Sequence, residues 1–339
     1  MIADGQHDRP PWTGHGVVHG WLELIRPPNL FTVPGDVLAG ASLARIGADE
    51  VYLIVPVLFI SLFLYISGLL LNDYRDRETD RMERPGRPIP SGRVQPQAAL
   101  AASMVLMGLA LFLACLADGM RIFPHRMTDW ILLTDWMPPV FPHRIFGITL
   151  GLVALIVLYH GPGRMVPGLG FIIMGLCRGC NVLLGAGLGK GPLSGLVLAG
   201  AAAEALYIAA VSAIAAHETT AQPSARECFL LLASLSGLAL IMLITGASVL
   251  KIGCVLFIWI WVFLIVRPQK RQRGQGDRQV PVMVGKLIRS LILIQAGLIV
   301  LAMDHGVGSG AGSYGFFFLI VLLFLFPLSG WAGQRFYGS

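Results

Sequence analysis

Ten apolar runs of 16 to 24 residues constrain this chain more than any other feature. They occupy residues 29–46, 51–71, 97–118, 145–160, 166–188, 193–216, 228–247, 251–266, 286–303 and 314–332. A helix needs roughly 20 mainly apolar residues to cross a bilayer, and within the hydrocarbon its backbone must be satisfied internally. The expected fold class is therefore all-α: a polytopic transmembrane helical bundle of nine or ten spans. The run 228–266 is too long for one helix, and Lys251 marks a break near its middle. Composition agrees, with 55% hydrophobic and 13% charged residues where a soluble domain has about 45–50% and 25%. A soluble globular chain and a disordered one are both excluded. The expected organisation is a cytoplasmic segment over 1–28, one transmembrane domain over 29–332 and a tail over 333–339.

Lys and Arg test the layout. With the N-terminus inside, 17 of the 25 basic residues fall on the inner side and 6 on the outer, as the positive-inside rule requires. Both termini are expected in the cytoplasm, in a bacterial inner membrane. Most of the net charge of +6 thus follows topology, and no nucleic-acid partner is implied. Residues 1–20 carry Asp4 and Asp8 and no apolar core of a cleavable signal. Residues 119–144 hold a small mirrored repeat, FPHR–TDW–TDW–FPHR, whose Trp residues suit an interfacial loop. His125 and His143 within it are a weaker metal candidate. Five cysteines in or beside apolar runs do not form a secreted disulfide framework.

The charges that remain are clustered. Residues 72–96 hold 5 of the 19 acids and 6 of the 25 bases. Asn72, Asp76 and Asp80 are spaced i, i+4, i+8, which on a helix continuing the second span keeps them on one face. Carboxylates and an amide, without Cys or His, make a hard oxygen set suited to Mg²⁺, which favours one or two carboxylates plus substrate phosphate oxygens. The competing reading is a solvated loop of alternating sign, since Arg75, Arg77 and Arg81 interleave with the acids. The following Pro-rich basic turn, Arg84-Pro85-Gly86-Arg87-Pro88-Ile89-Pro90-Ser91-Gly92-Arg93, offers guanidinium groups such as Arg87 for bidentate grip on a diphosphate.

Asn72-Asp73-x-x-Asp76-x-x-x-Asp80 followed by RPGRPIPSGRV resembles the first aspartate-rich motif of the UbiA superfamily of intramembrane prenyltransferases. Arg26-Pro27-Pro28-Asn29 and Ala39-Gly40 resemble that family's N-terminal signature. Residues 174–185, containing Cys177, Arg178, Cys180 and Asn181, resemble the fifth-span segment of its EboC subgroup. The resemblance implies a helical bundle around a central cavity opening to lipid. It also implies Mg²⁺ as cofactor, a polyprenyl diphosphate donor and a lipophilic, aromatic or other, acceptor. On this basis Asp76 and Asp80 are the expected catalytic residues and Asn72, Asp76 and Asp80 the metal ligands, with Asn29, Tyr159 and Arg164 among the substrate contacts. The chain departs from the family twice. The loop after the sixth span, where a second Asp-x-x-x-Asp is due, carries the single carboxylate Glu218, with Glu227 nine residues on. Tyr159 is followed by His160, Gly161 and Pro162, so Arg164 is the nearby cation in place of the family's lysine.

Within the spans, Arg178 is a functional candidate by default, and Asn181 lies one turn on, on the same face. Together they are expected to line the cavity and reach substrate; the bland reading pairs Arg178 with Glu204 or with helix carbonyls. Asp36 should face the cavity or pair, with no partner nameable from sequence. Cys177 and Cys180 have CxxC spacing, which inside a span reads as small residues at a helix contact. The basic run 267–273 suits anionic headgroups or ordinary topology. Two functions follow: a prenyltransferase, or a UbiA-like protein that binds or moves an isoprenoid or hydrophobic metabolite without transfer chemistry.

Overall fold

The structure, a computed structural model, describes residues 14–122, 144–216, 225–244, 246, 248–267, 279–303 and 311–337. The mirrored repeat with His125 and His143, the loop bearing Glu218, and residues 268–273 of the basic run lie outside the described residues.

Twelve α-helices run through that set: α1 (Gly14–Ile25), α2 (Pro27–Leu30), α3 (Val33–Leu43), α4 (Ile54–Glu83), α5 (Pro96–Ile122), α6 (Arg144–His160), α7 (Leu169–Ala186), α8 (Gly195–Ala215), α9 (Ala225–Ile244), α10 (Val249–Val266), α11 (Gln279–Met303) and α12 (Ala311–Tyr337). Seven of them, α4, α5, α7, α8, α10, α11 and α12, are long and apolar enough to cross a membrane. The molecule is an integral, multi-pass membrane protein. Its lipid-facing surface carries large exposed side chains such as Phe229, Phe317, Phe324 and Trp331, a pattern a soluble protein does not tolerate. The expected nine or ten spans are corrected to seven by this measure among the described residues. The apolar stretches of α6 and α9 are shorter, and the first run does not form one helix.

That first run breaks for a local reason. Pro27 and Pro28 open α2, and Pro34 lies in the first turn of α3, where a missing N–H costs nothing. Between the two helices, Thr32 turns its hydroxyl to the Asn29 carbonyl at 2.8 Å. The break leaves main-chain oxygens to be satisfied by other helices, as the membrane interior demands. Pro28 O accepts from Ser329 Oγ of α12 at 2.9 Å, and Thr32 O from Gln295 Nε2 of α11 at 2.9 Å.

The long run 228–266 does divide, around Gly246, whose φ of 98° lies in the region glycine tolerates best. Ser248 then caps α10, its Oγ accepting from Lys251 N, while Lys251 Nζ donates back to Gly246 O at 2.9 Å.

Helix contacts follow the small-residue logic of membrane interiors. Gly40 of α3 and Gly185 of α7 bring those backbones together, their Cα atoms facing Val182 O and Val37 O. Gly175 and Gly179, four residues apart, do the same between α7 and α8. A Cβ at Gly179 would stand 2.8 Å from Ala201 O, and a backbone carbonyl cannot swing aside. Gly179→Val is therefore expected to cost about 1–3 kcal/mol by overpacking, read as a lowered thermal midpoint in detergent, whereas Gly108→Ala, with open space around it, should change little. Helices α4 and α5 are joined by Ser67 and Ser103, buried hydroxyls 2.9 Å apart that each also donate to the other's carbonyl.

Candidate functional site

Two polar clusters stand out, one at the end of the bundle where α4 emerges and one inside it. The first begins with α4 itself, which continues as helix through the acidic segment to Glu83, as the spacing predicts. Asn72 Nδ2 donates to Asp76 Oδ2 at 3.0 Å, so these two share a face. Asp80 is buried and paired with Arg87, Nη1 to Oδ2 at 2.8 Å. Asp73, absent from the expected set, is equally buried. It takes Arg26 Nη2 at 3.1 Å and lies 3.7 Å from Arg87 Nη1. Asp73 and Asp80, seven residues apart, thus share Arg87 on the inward side of α4, while Asn72 and Asp76 are half-exposed.

The basic turn is held in place by apolar burial. Ile89 and Val94 pack with Leu24 of α1, Leu70 of α4 and Ala99 of α5. Ser91 N donates to Arg87 O at 2.9 Å and Val94 N to Pro88 O at 3.0 Å, closing the turn. Arg93 reaches Glu23 of α1 at 2.7 Å and the Gly86 carbonyl at 2.7 Å. Arg26 sits between α1 and α2 with φ 49°, a left-handed conformation that a non-glycine residue adopts at some cost, and from there its guanidinium meets Asp73. The alternating segment is helix and not loop; its Arg75, Glu78 and Arg81 stay solvent-exposed, while Asp73 and Asp80 interlock with Arg26 and Arg87 against the bundle.

Asn29 of α2 is half-buried, its N–H donating to Arg26 O at 3.0 Å and its carbonyl accepting from Thr32 N at 3.1 Å. Tyr159 ends α6 with its ring edge-on to His160, centroids 4.9 Å apart, and Arg164 closes the short 3₁₀ turn Pro162–Arg164 that follows. By the alternation of spans, both lie at the end of the bundle that carries the acidic cluster.

The second cluster is buried. Arg178 of α7 donates from Nη1 to Asp36 Oδ2 at 2.7 Å and from Nη2 to Thr32 Oγ1 at 2.6 Å. Asn181 Nδ2 donates to the same Asp36 oxygen at 3.2 Å. Gln295 Nε2 faces Asp36 Oδ1 at 2.6 Å, Thr32 O at 2.9 Å and Glu204 Oε1 at 3.1 Å. Asp36, Glu204, Thr32 and Gln295 are fully buried. Arg178 and Asn181 do lie on one face, but that face is committed to Asp36, and Glu204 enters only through Gln295. The Arg178 guanidinium lies over the Tyr65 ring, 5.7 Å from its centroid, so Tyr65 of α4 flanks the buried cluster. Gln295 carries no sequence motif; its one signal is an amide inside an apolar span. Asp73 and Arg26 do sit inside the two motif blocks, and only the pairing is new.

Among the described residues, no three His, Cys, Asp or Glu side chains converge as a metal cage. The acidic cluster still fits Mg²⁺ by donor type, since Asn72, Asp76 and the neighbouring aspartates offer oxygen alone.

Comparison with known proteins bears on both clusters. The profile of the UbiA prenyltransferase family matches residues 36–227. A digeranylgeranylglyceryl phosphate synthase of Methanothrix thermoacetophila is 43% identical over 130 residues, 38% of this chain and 45% of that protein. One from Halobacterium salinarum is 32% identical over 197 residues, 56% of this chain and 59% of that protein. The chain spans about half the length of the curated relatives it matches. A solved structure from work on digeranylgeranylglyceryl phosphate synthase in membranes superposes with a TM-score of 0.55 at 18% identity, over 85% of this chain and 99% of that one. A UbiA homolog from Archaeoglobus fulgidus gives 0.54 at 15% identity, over 89% and 99%. These two likenesses establish the fold. The matches support the superfamily and not the EboC subgroup, and these relatives are archaeal, so the bacterial assignment gains no support.

Proposed function

This chain belongs to the UbiA prenyltransferase family, and from that premise we propose that it transfers a polyprenyl group from its diphosphate to a lipophilic acceptor. The observation that carries the reading is the interlocked cluster of Asp73, Asp80, Arg26 and Arg87 beside Asn72–Asp76 at one end of an apolar bundle. Arg26 and Arg87, beside these acids, are the guanidinium groups that would meet diphosphate charge, and Asn72, Asp76 and Asp80 are the residues that would hold Mg²⁺. When bound, that ion supplies a compact positive charge against the phosphate oxygens.

The protein's own contribution is to bind, orient and keep dry. Arg26 and Arg87 face the diphosphate as the allylic C–O bond breaks and the electron pair leaves with the phosphate, where preorganised charge acts most strongly. Asn29, Tyr159 and Arg164 contact the substrate near that end. Arg178 and Asn181, fixed by Asp36, shape the polar floor beneath it. The apolar walls take the prenyl chain and exclude water while the acceptor attacks and loses its proton. Names of the relatives add a phosphorylated glyceryl lipid to the acceptor classes worth testing, beside aromatic ones.

The competing reading, an isoprenoid-binding protein without transfer chemistry, is favoured by the lone carboxylate Glu218 where the family has two. Purified protein incubated with labelled prenyl diphosphates, Mg²⁺ and a panel of aromatic and glyceryl-phosphate acceptors separates the two. Acceptor-dependent release of diphosphate is the expected result. Saturable binding of the prenyl diphosphate with no release on any acceptor supports the non-catalytic protein.

A further inference from the structure

The buried cluster holds two carboxylates and one guanidinium, and its hydrogen bonds are unevenly shared. Asp36 receives three donors, from Arg178, Asn181 and Gln295. Glu204 receives one, from Gln295 Nε2, and that amide is divided among three acceptors. Glu204 Oε2, Asn181 Oδ1 and Gln295 Oε1 are buried acceptors that meet no donor. The cluster therefore lacks donors rather than acceptors, and with both acids ionised it carries one uncompensated negative charge where water does not reach.

The shared amide decides what corrects this. Gln295 Nε2 faces both carboxylates, 2.6 Å from Asp36 Oδ1 and 3.1 Å from Glu204 Oε1. Ionised carboxylates only accept, and two of them around one amide, with a single guanidinium between them to balance, are relieved when one takes a proton. Asp36, with three donors and the guanidinium against it, is the anion; Glu204, poor in donors, is the acid. We propose that the Asp36–Glu204 pair is an intramembrane binding site for a single proton, carried on Glu204 and balanced by the Arg178–Asp36 ion pair. The elements around Glu204 are consistent with this assignment. Among the described residues, the charged groups joined to it through this hydrogen-bonded cluster are Asp36 of α3 and Arg178 of α7, and α11 contributes the neutral Gln295. The site is separate from the acidic end and does not rest on prenyl transfer.

Infrared spectroscopy of the full-length protein in phosphatidylcholine nanodiscs, at neutral pH in potassium buffer, tests it. The C=O stretch of a protonated carboxylic acid, shifted by D₂O, is expected in the wild type and lost completely in Glu204→Gln. Persistence of the band in that variant, or its absence from the wild type, overturns the proposal. Should Glu204→Gln fail to fold, ¹³C labelling of glutamate in the wild type reads the same point. A band that moves with labelled glutamate supports it, and one that moves only with labelled aspartate overturns it. Replacing potassium by sodium is expected to leave the band unchanged; its loss would assign the site to Na⁺ instead.

Discussion

Arg178→Met is expected to destabilise the bundle by about 3–5 kcal/mol, the usual cost of removing one partner from a buried ion pair. The cause is what remains. Asp36 is fully buried, and without the guanidinium at 2.7 Å its charge keeps only the amides of Asn181 and Gln295. Thr32 Oγ1 loses its donor at 2.6 Å as well, at the point where the chain breaks between α2 and α3. Restoring charge balance should recover much of the loss, because replacing both members of such a pair by apolar groups of similar volume is often close to neutral. Arg178→Met combined with Asp36→Leu is therefore expected to be more stable than Arg178→Met alone. The order of thermal midpoints in detergent, followed by the monodisperse fraction after heating, checks this. Arg81→Met is the control: its partner Glu78 is met at 3.2 Å with both side chains exposed, and the change should be small because solvent screens such pairs. A double variant less stable than either single one would show that the pair is not what holds α3 to α7.

Much of this architecture is legible in the sequence because two strong signals act locally. Apolar run length marked every long helix, and the break near Lys251 follows from a run too long to be a single span. The i, i+4, i+8 spacing of Asn72, Asp76 and Asp80 correctly implies that α4 runs on past its apolar part. What the sequence hides is pairing. Asp36 and Arg178 are 142 residues apart, Asp36 and Gln295 259, and nothing local in either segment names the other. The interior of α4 misleads for a related reason. Periodicity places Asp73 off the face shared by Asn72 and Asp76, yet that is the face turned to Arg26 and Arg87, so a residue outside the spacing argument is among the most buried of the cluster. The first run misleads differently: its apolar length suits a single span, but it divides between α2 and α3, where Pro34 opens the second helix, and the carbonyl freed at Thr32 becomes part of the polar core.

Asp76→Asn and Asp80→Asn are each expected to lower acceptor-dependent diphosphate release by roughly 100-fold or more, the scale on which losing one preorganised charge-stabilising group acts. The two losses should differ in kind. Asp76 is half-exposed and bonded to Asn72, so in the proposed site its carboxylate would serve chiefly as an oxygen ligand, and raised Mg²⁺ should recover part of the Asp76→Asn rate. Asp80 is buried against Arg87, so Asp80→Asn both removes a ligand and frees the guanidinium that Asp80 orients, and added Mg²⁺ should recover little. A double-mutant cycle with Arg87→Gln isolates the second effect. If Asp80 acts through Arg87, the combined loss falls short of the sum of the single losses by an amount typical of contacting residues, about 0.5–3 kcal/mol. Arg87→Lys should not restore activity, since an ammonium lacks the planar fork that can span Asp80 and a phosphate oxygen together. Initial rates of release across a Mg²⁺ series, with binding of the prenyl diphosphate measured separately, resolve these cases. Release indifferent to all four substitutions would remove the transferase reading from this cluster, leaving Arg26, Arg87 and their aspartates as the clasp that fastens α1 and the basic turn to α4.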